Sequence, residues 1–128
     1  MATGTIKKLQ DTDSGWIDLS LTSDFQLYNA AARARYRKVG KLVEVQGTVR
    51  PTSELASGGN NVVLANLPVG YRPDADNRVF LCQGSMSNRW ALTIYVNGNI
   101  GVARYGTTEF IPIPTNAWLT FDIMFLVD

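Results

Sequence analysis

Short runs of alternating hydrophobic and polar residues follow one another along most of the chain. The longest covers 118–127, and its hydrophobic positions are Leu119, Phe121, Ile123, Phe125 and Val127. A period of two places alternate side chains on opposite faces of a strand. This run therefore predicts a strand with one buried face. A shorter run predicts a strand that points Ile17, Leu19 and Leu21 to one side.

Two segments, 35–49 and 90–103, each predict a β-hairpin. In the first, Gly40-Lys41 forms the turn, and inward valines at 43, 45 and 49 alternate with polar residues. In the second, Asn97-Gly98 joins two alternating runs. Asn-Gly favours a two-residue type I′ turn because both turn positions need positive φ.

Further strands are predicted at 62–65 and 79–82, and the prolines of 110–114 confine that segment to an edge or a loop. The one helix-like run, 29–36, is too short for an independent helix and predicts a turn that leads into a strand. About eight short strands separated by turn signals predict an all-β fold, an antiparallel β-sandwich of jelly-roll type. Residues 1–14 lack periodicity and are expected to be a linker or neck remnant, with the sandwich at 15–128.

The charge pattern excludes several classes of function. The 128 residues contain 12 Lys and Arg, 11 Asp and Glu, one Cys and no His. Without histidine, the usual zinc, copper and haem sites and the serine–histidine and cysteine–histidine triads are excluded. A net charge of +1 argues against a nucleic-acid binder. We expect no cofactor, no metal and no catalytic residue, and Cys82 is expected to be a buried, inert thiol.

The N-terminal residues and the hydropathy of the chain predict no membrane insertion. The first eight residues lack the apolar core of a signal peptide, and no run approaches the ~20 apolar residues of a membrane-spanning helix. Synthesis in the cytoplasm is therefore expected.

Carboxylates offer one alternative, a glycan hydrolase. Such an enzyme needs two carboxyl groups facing each other across a cleft, ~5 Å or ~6.5–9.5 Å apart. The candidates are Asp11, Asp13, Asp18, Asp74, Asp76, Glu109 and Asp122. Solvated turns and outward strand positions explain them more simply.

Basic and aromatic residues offer a second possibility, a binding surface. A basic cluster consists of Arg33, Arg35, Arg37, Lys38 and Lys41. It is suited to an anionic polymer such as a polyanionic glycan, although a solvated strand face or salt bridges to a neighbouring subunit explain it more simply. Saccharide sites combine exposed aromatic rings with Asp, Asn and Arg side chains. Near the Asn97-Gly98 turn, the residues of this kind are Arg89, Tyr95, Arg104 and Tyr105. We predict that they form a saccharide site, because a rigid turn can hold side chains in place.

Several motifs occur in a distinctive order: GWIDL at 15–19, RYRKVG at 35–40, QGTV at 46–49 and LPVGYRP at 67–73. This order resembles the C-terminal head domain of receptor-binding and baseplate tail proteins of phages that infect Gram-positive bacteria. The motifs themselves have the character of a hairpin and a turn, so no binding residue is assigned from the resemblance.

The resemblance implies a homotrimeric, non-enzymatic adhesion module that recognises a host cell-wall polysaccharide or teichoic acid. It also implies a place in the virion at the tail tip or baseplate, contacts with other tail proteins, and release by lysis. The alternative is a structural tail component that contacts only phage proteins. Outward Met124 and Leu126 on the last strand predict that its second face is covered, by another subunit or by the second sheet.

Overall fold

The computed structural model describes residues 13–55, 62–84, 89–106 and 113–127, with the backbone alone at 104–106. These segments contain nine strands and no helix. The strands are β1 (Ile17–Asp18), β2 (Phe25–Leu27), β3 (Ala34–Val39), β4 (Leu42–Pro51), β5 (Val62–Asn66), β6 (Arg78–Gln83), β7 (Arg89–Ile94), β8 (Asn99–Gly106) and β9 (Leu119–Leu126). All pairings between them are antiparallel. The predicted all-β sandwich is confirmed. The predicted edge or loop segment at 110–114 lies mostly outside the described residues.

The first sheet is built around β4, the longest strand. The β3–β4 hairpin turns at Gly40, whose φ is +61°, and β9 pairs with the other edge of β4 from Leu42↔Leu126 to Val49↔Leu119. The short strand β1 completes the sheet beside β3. Val43, Val45 and Val49 are completely buried, as predicted from their alternation with polar residues.

Strand β2 pairs with the end of β4 on the same edge as β3. Between them, residues 28–33 leave the sheet and return to it. Both ends of this excursion form hydrogen bonds with the backbone of Thr48. The Tyr28 N–H donates to the Thr48 carbonyl (3.1 Å), and the Thr48 N–H donates to the Arg33 carbonyl (2.9 Å). The predicted turn at 29–36 is thus a loop inserted into one long strand.

The second sheet has the order β5-β8-β7-β6. Its β7–β8 hairpin differs from the predicted two-residue turn. The Gly98 N–H donates to the Tyr95 carbonyl, the Tyr95 N–H donates to the Asn99 carbonyl, and Gly98 has φ +91°. This is a three-residue loop with glycine in its last position, the other common hairpin geometry. It leaves the Gly98 carbonyl pointing at the Leu67 N–H, from which it accepts a hydrogen bond of 2.8 Å.

The core lies between the two sheets, and its hydrophobic residues come from both. Trp90 of β7 packs edge-on against Phe121 of β9, with ring centroids 6.1 Å apart. Gly47 makes room for this ring, because a Cβ there would lie 2.8 Å from Phe121 Cζ. Close packing of this kind fixes the spacing of the sheets.

The alternation of β9 is confirmed, but other predicted burial differs. Ile17 is 36% exposed because β1 is a two-residue edge strand. Cys82 is half-buried, not fully buried, because β6 is also an edge strand. Met124 and Leu126 are exposed, so the second sheet does not cover them.

The two motifs RYRKVG and LPVGYRP meet in space. Tyr36 and Tyr71 form an edge-to-face ring pair, and the Lys38 ammonium donates to the Gly70 carbonyl at 2.7 Å. Arg72 Nε donates to the Leu67 carbonyl at 2.7 Å and closes the loop on itself. The loop at 67–73 therefore packs between β3 and the β7–β8 hairpin.

Candidate functional site

The outward side chains of the first sheet form cross-strand rows. One row contains Arg37, Glu44 and Met124, and the next contains Asp18, Arg35, Gln46 and Asp122. A third contains Thr48 and Thr120, whose hydroxyls are 3.2 Å apart. The face thus changes from apolar near Leu42 and Leu126 to charged and then to hydroxyl-bearing.

Trp16 anchors part of the predicted basic cluster. The guanidinium carbons of Arg35 and Arg37 lie 4.3 and 4.4 Å from the centre of its ring. Arg35 also donates to Gln46, and Arg37 forms a salt bridge with Glu44 at 3.2 Å. Contacts within the chain therefore hold both arginine side chains in place, and the cation–π attraction to Trp16 strengthens these contacts.

Arg33 belongs to the same cluster but lies on the 28–33 excursion, where it is exposed. Depressions open on both sides of this segment, and Arg33 lines both. The loop between them is braced internally, because Asn29 Oδ1 accepts from the Ala31 N–H at 3.0 Å and the Asn29 carbonyl accepts from the Ala32 N–H at 3.1 Å.

The first depression, which we call the leucine depression, has a volume of about 400 Å³. It is lined by Asp18, Leu19, Leu21, Leu27, Ala32, Arg33 and Ala34. Leu19 and Ala34 are buried, and the Leu19 N–H donates to the Ala34 carbonyl at 2.9 Å. An apolar floor is thus combined with one acid and one base, both exposed.

The second, which we call the threonine depression, has a volume of about 330 Å³. Its side chains with hydrogen-bonding capacity are Arg33, Gln46, Thr48, Thr120 and Asp122. Thr120 Oγ1 also contacts the Gly47 carbonyl at 3.3 Å. The two depressions share Ala32 and Arg33 but differ in polarity. The sequence pattern predicted neither depression, because each forms where the 28–33 excursion lies against strands that are distant in sequence.

The predicted saccharide residues lie at two ends of one hairpin. Arg89 is exposed and pairs with Gly106, so it lies beside the 104–106 end of β8. Tyr95 is half-buried at the other end of β7, six residues away, which corresponds to about 20 Å along a strand. The structure therefore brings Arg89 near the Arg104 and Tyr105 backbone and separates Tyr95 from them. The side chains of Arg104 and Tyr105 lie outside the described residues.

Asp18 and Asp122, the two candidate carboxylates on strands of the first sheet, are far apart. Asp18 and Asp122 stand in one row, but Arg35 and Gln46 lie between them. Three interstrand steps place the Cα atoms of the two roughly 14 Å apart, farther than the ~9.5 Å between the carboxyl groups of a hydrolase pair. Asp11 and Glu109 lie outside the described residues.

Within the described segments, no group of three or more His, Cys, Asp or Glu side chains could hold a metal ion. The same residues include no helix long and apolar enough to cross a membrane.

Comparison with solved structures identifies the architecture. The receptor-binding protein (gp15) of Listeria phage PSA aligns with 99% of this chain and 74% of its own, with a TM-score of 0.67 and 23% identity. The head domain of lactococcal phage bIL170 aligns over 88% of this chain and 97% of its own, with a TM-score of 0.66 and 11% identity. The fold is that of phage receptor-binding head domains. No protein-family model matches the chain, and no curated protein sequence matches it.

The four motifs predicted the fold of a phage receptor-binding head domain, and the structural comparison confirms that fold. Two of those motifs, RYRKVG and LPVGYRP, contact each other through Tyr36 and Tyr71 and through Lys38 and Gly70. Their side chains stabilise the join between the two sheets, in agreement with the structural role expected for them.

Proposed function

We propose that this domain is a receptor-binding module of a phage tail that attaches the virion to a saccharide of the host cell wall. The observation that carries the proposal is the alignment of 99% of the chain with a structure described as a phage receptor-binding protein. A non-enzymatic role agrees with the wide spacing of Asp18 and Asp122 described above. Location at the tail tip or baseplate, and release of virions by lysis, follow from the same proposal.

The proposed quaternary state is a homotrimer. Met124 and Leu126 are 54% and 66% exposed on the outward face of β9, a strand of the first sheet. Exposed apolar residues on adjacent outward positions favour burial against another subunit. Other tail proteins are the further partners that we propose, and residues 1–14 would serve as the connection to them.

The receptor itself is proposed to be a cell-wall polysaccharide or teichoic acid. Arg89, Arg104 and Tyr105 remain proposed contacts at one end of the β7–β8 hairpin, and Tyr95 at the other. Arginine and tyrosine suit this role, because guanidinium groups donate to sugar oxygens and aromatic rings stack on the apolar faces of sugars.

Binding to purified cell walls tests this function. Fluorescently labelled protein is mixed with walls from a panel of Listeria and lactococcal strains, and sedimented fluorescence is measured. We expect saturable binding to walls of some strains and none to walls stripped of their polysaccharide and teichoic acid. Absence of binding across a panel of susceptible strains would favour the alternative, a structural tail component. Release of reducing sugar from the walls would instead indicate a hydrolase.

A further inference from the structure

We propose that the leucine depression is a subsite for one sugar residue that carries a methyl group, either an N-acetyl or a 6-deoxy sugar. The inference rests on the proposed function, since it names the kind of sugar that such a receptor contributes. The residues that carry it are Leu27, Ala32 and Arg33 on the excursion side and Asp18 and Leu19 on the other.

The size of the depression suits a single small ligand. Its volume of about 400 Å³ lies within the range of about 300–1,000 Å³ that is typical of small-molecule sites. Such sites combine an apolar lining with a few polar groups that set the orientation of the ligand. The leucine depression has this composition, with leucine and alanine side chains inside and two charged groups.

The two charged side chains, Asp18 and Arg33, can both form hydrogen bonds with the hydroxyl groups of a neutral sugar. Asp18 accepts hydrogen bonds and Arg33 donates them, and a sugar ring with several hydroxyl groups can satisfy both. Charge-assisted bonds of this kind are stronger than neutral ones. An anionic ligand would gain from Arg33 but would be repelled by Asp18, so the pair favours an uncharged sugar.

The apolar lining selects for a methyl group. Leu19 and Ala34 are buried beneath the opening, and Leu27 is 41% exposed. A fully hydroxylated sugar placed there would lose hydrogen bonds to water without gaining new ones from leucine and alanine. Moving a methyl group from water into the same apolar lining is favourable, because it removes apolar surface from water.

The subsite is preorganised by the backbone. Tyr28 and Arg33 both bond to Thr48, and Asn29 braces the loop between them. On the opposite side, Thr22 ties the segment after β1 to β5, with its hydroxyl donating to the Val63 carbonyl at 2.6 Å. Little ordering is therefore needed when a ligand enters, and preorganisation of this kind favours binding.

The test uses two pairs of free sugars that differ at the methyl-bearing group: N-acetylglucosamine with glucose, and L-rhamnose with L-mannose. Amide chemical shifts of the full chain are followed by NMR during each titration. We expect the amides of Ala32, Arg33 and Ala34 to shift with at least one methyl-bearing sugar. Its affinity should exceed that of its partner by about fourfold or more, the factor that burial of one methyl group at about 0.8 kcal/mol supplies. The two pairs separate the N-acetyl from the 6-deoxy source.

A matched pair of variants locates the effect. Leu27→Gln should weaken binding of that sugar at least fourfold, whereas Leu81→Gln should leave it unchanged. Leu81 is a suitable control because it is an exposed leucine on β6 of the second sheet, outside the depression and away from β9. Equal affinity within both sugar pairs, or equal loss in both variants, would overturn the subsite.

Wall binding separates this proposal from the function on which it rests. Wild-type protein that sediments with cell walls, together with a Leu27→Gln variant that does so equally well, would reject the subsite and leave the receptor function standing. Sugar-dependent shifts at Ala32 in a protein that binds no walls would support the subsite and reject the receptor function.

Discussion

The ring of Tyr71 packs edge-on against the ring of Tyr36, with centroids 5.1 Å apart and planes at 82°. Tyr36 belongs to β3 of the first sheet, and Tyr71 belongs to the loop that contacts the hairpin of the second. The Lys38 ammonium lies 5.0 Å from the centre of the Tyr71 ring. Tyr71 thus connects the two halves of the sandwich.

Removal of this ring should destabilise the domain. Tyr71→Ala is expected to lower the free energy of unfolding by about 2 kcal/mol, through loss of half-buried apolar area and of the aromatic pair. Urea denaturation followed by tryptophan fluorescence measures the change. Tyr71→Phe is the control and should cost less than about 0.5 kcal/mol, because it keeps the ring. Equal losses in the two variants would contradict a role for the ring.

Two glycines with positive φ should respond differently to alanine. Gly98 has φ +91°, and a Cβ there would lie 2.5 Å from Arg72 Nε and against the Leu67 carbonyl. Gly15 has φ +71° with nothing within 4 Å of such an atom. We expect Gly15→Ala to cost about 1 kcal/mol from backbone strain alone. Gly98→Ala should cost about 3 kcal/mol or more, because a steric clash adds to the strain. Thermal melts of the two variants compare them, and equal shifts in melting temperature would argue against the contact with the 67–73 loop.

Oligomerisation should depend on β9. Light scattering coupled to gel filtration is expected to give three times the 14.1 kDa of one chain. Leu126→Glu should give a monomer, because a buried charge at a subunit interface is costly. Leu81→Glu is the control: Leu81 is 86% exposed on β6 of the other sheet, and this variant should remain a trimer. A monomeric wild type, or dissociation by Leu81→Glu alone, would place the interface elsewhere or remove it.

Cys82 should be unreactive at ordinary pH. Burial raises the pKa of its thiol from 9.0 to about 11, although the Leu92 backbone partly opposes the shift. At pH 9 the folded protein should therefore react with iodoacetamide roughly fifty-fold more slowly than the urea-unfolded chain, in proportion to its thiolate fraction.

The same shift predicts how stability depends on pH. Because the folded state holds the Cys82 proton more tightly than the unfolded state, its contribution is fully present below pH 9 and is lost as pH rises toward about 11. Burial also raises the pKa of Tyr36, and Tyr71 raises it further by a smaller amount. This shift likewise lowers the stability of the folded state at alkaline pH. Cys82→Ala should flatten the decline between pH 9 and 11, and an unchanged slope would assign the decline to other groups.

The predicted saccharide contacts can be tested individually. Arg104→Ala and Tyr105→Ala are expected to weaken cell-wall affinity at least fivefold, in line with loss of a charged hydrogen bond or a stacked ring. Tyr95→Ala tests the opposite end of the hairpin, about 20 Å away from Arg89 along β7. Affinity that is unchanged in the Arg104 and Tyr105 variants would exclude that end of the hairpin from the site.

Local patterns predicted most of the strands. The alternation of β9, the Gly40 turn and the buried valines of β4 all depend on residues close together in the chain, so their spacing alone determines them. The predicted two-residue length of the Asn97-Gly98 turn was wrong, because the loop has three residues. Its three-residue form is accompanied by contacts of Gly98 with Leu67 and Arg72, which are distant in sequence.

The sequence by itself therefore determined an antiparallel sandwich, its main hairpins and the hydrophobic faces of its longest strands. Only the tertiary structure decided that β2 and β3 share one edge of β4, so that residues 28–33 protrude and the two depressions open beside Arg33. It also decided that Trp16 lies against Arg35 and Arg37 and that Tyr71 reaches Tyr36. The physical reason is that burial follows from the period of a strand, whereas a surface site is made by side chains that strand pairing brings together from distant parts of the chain.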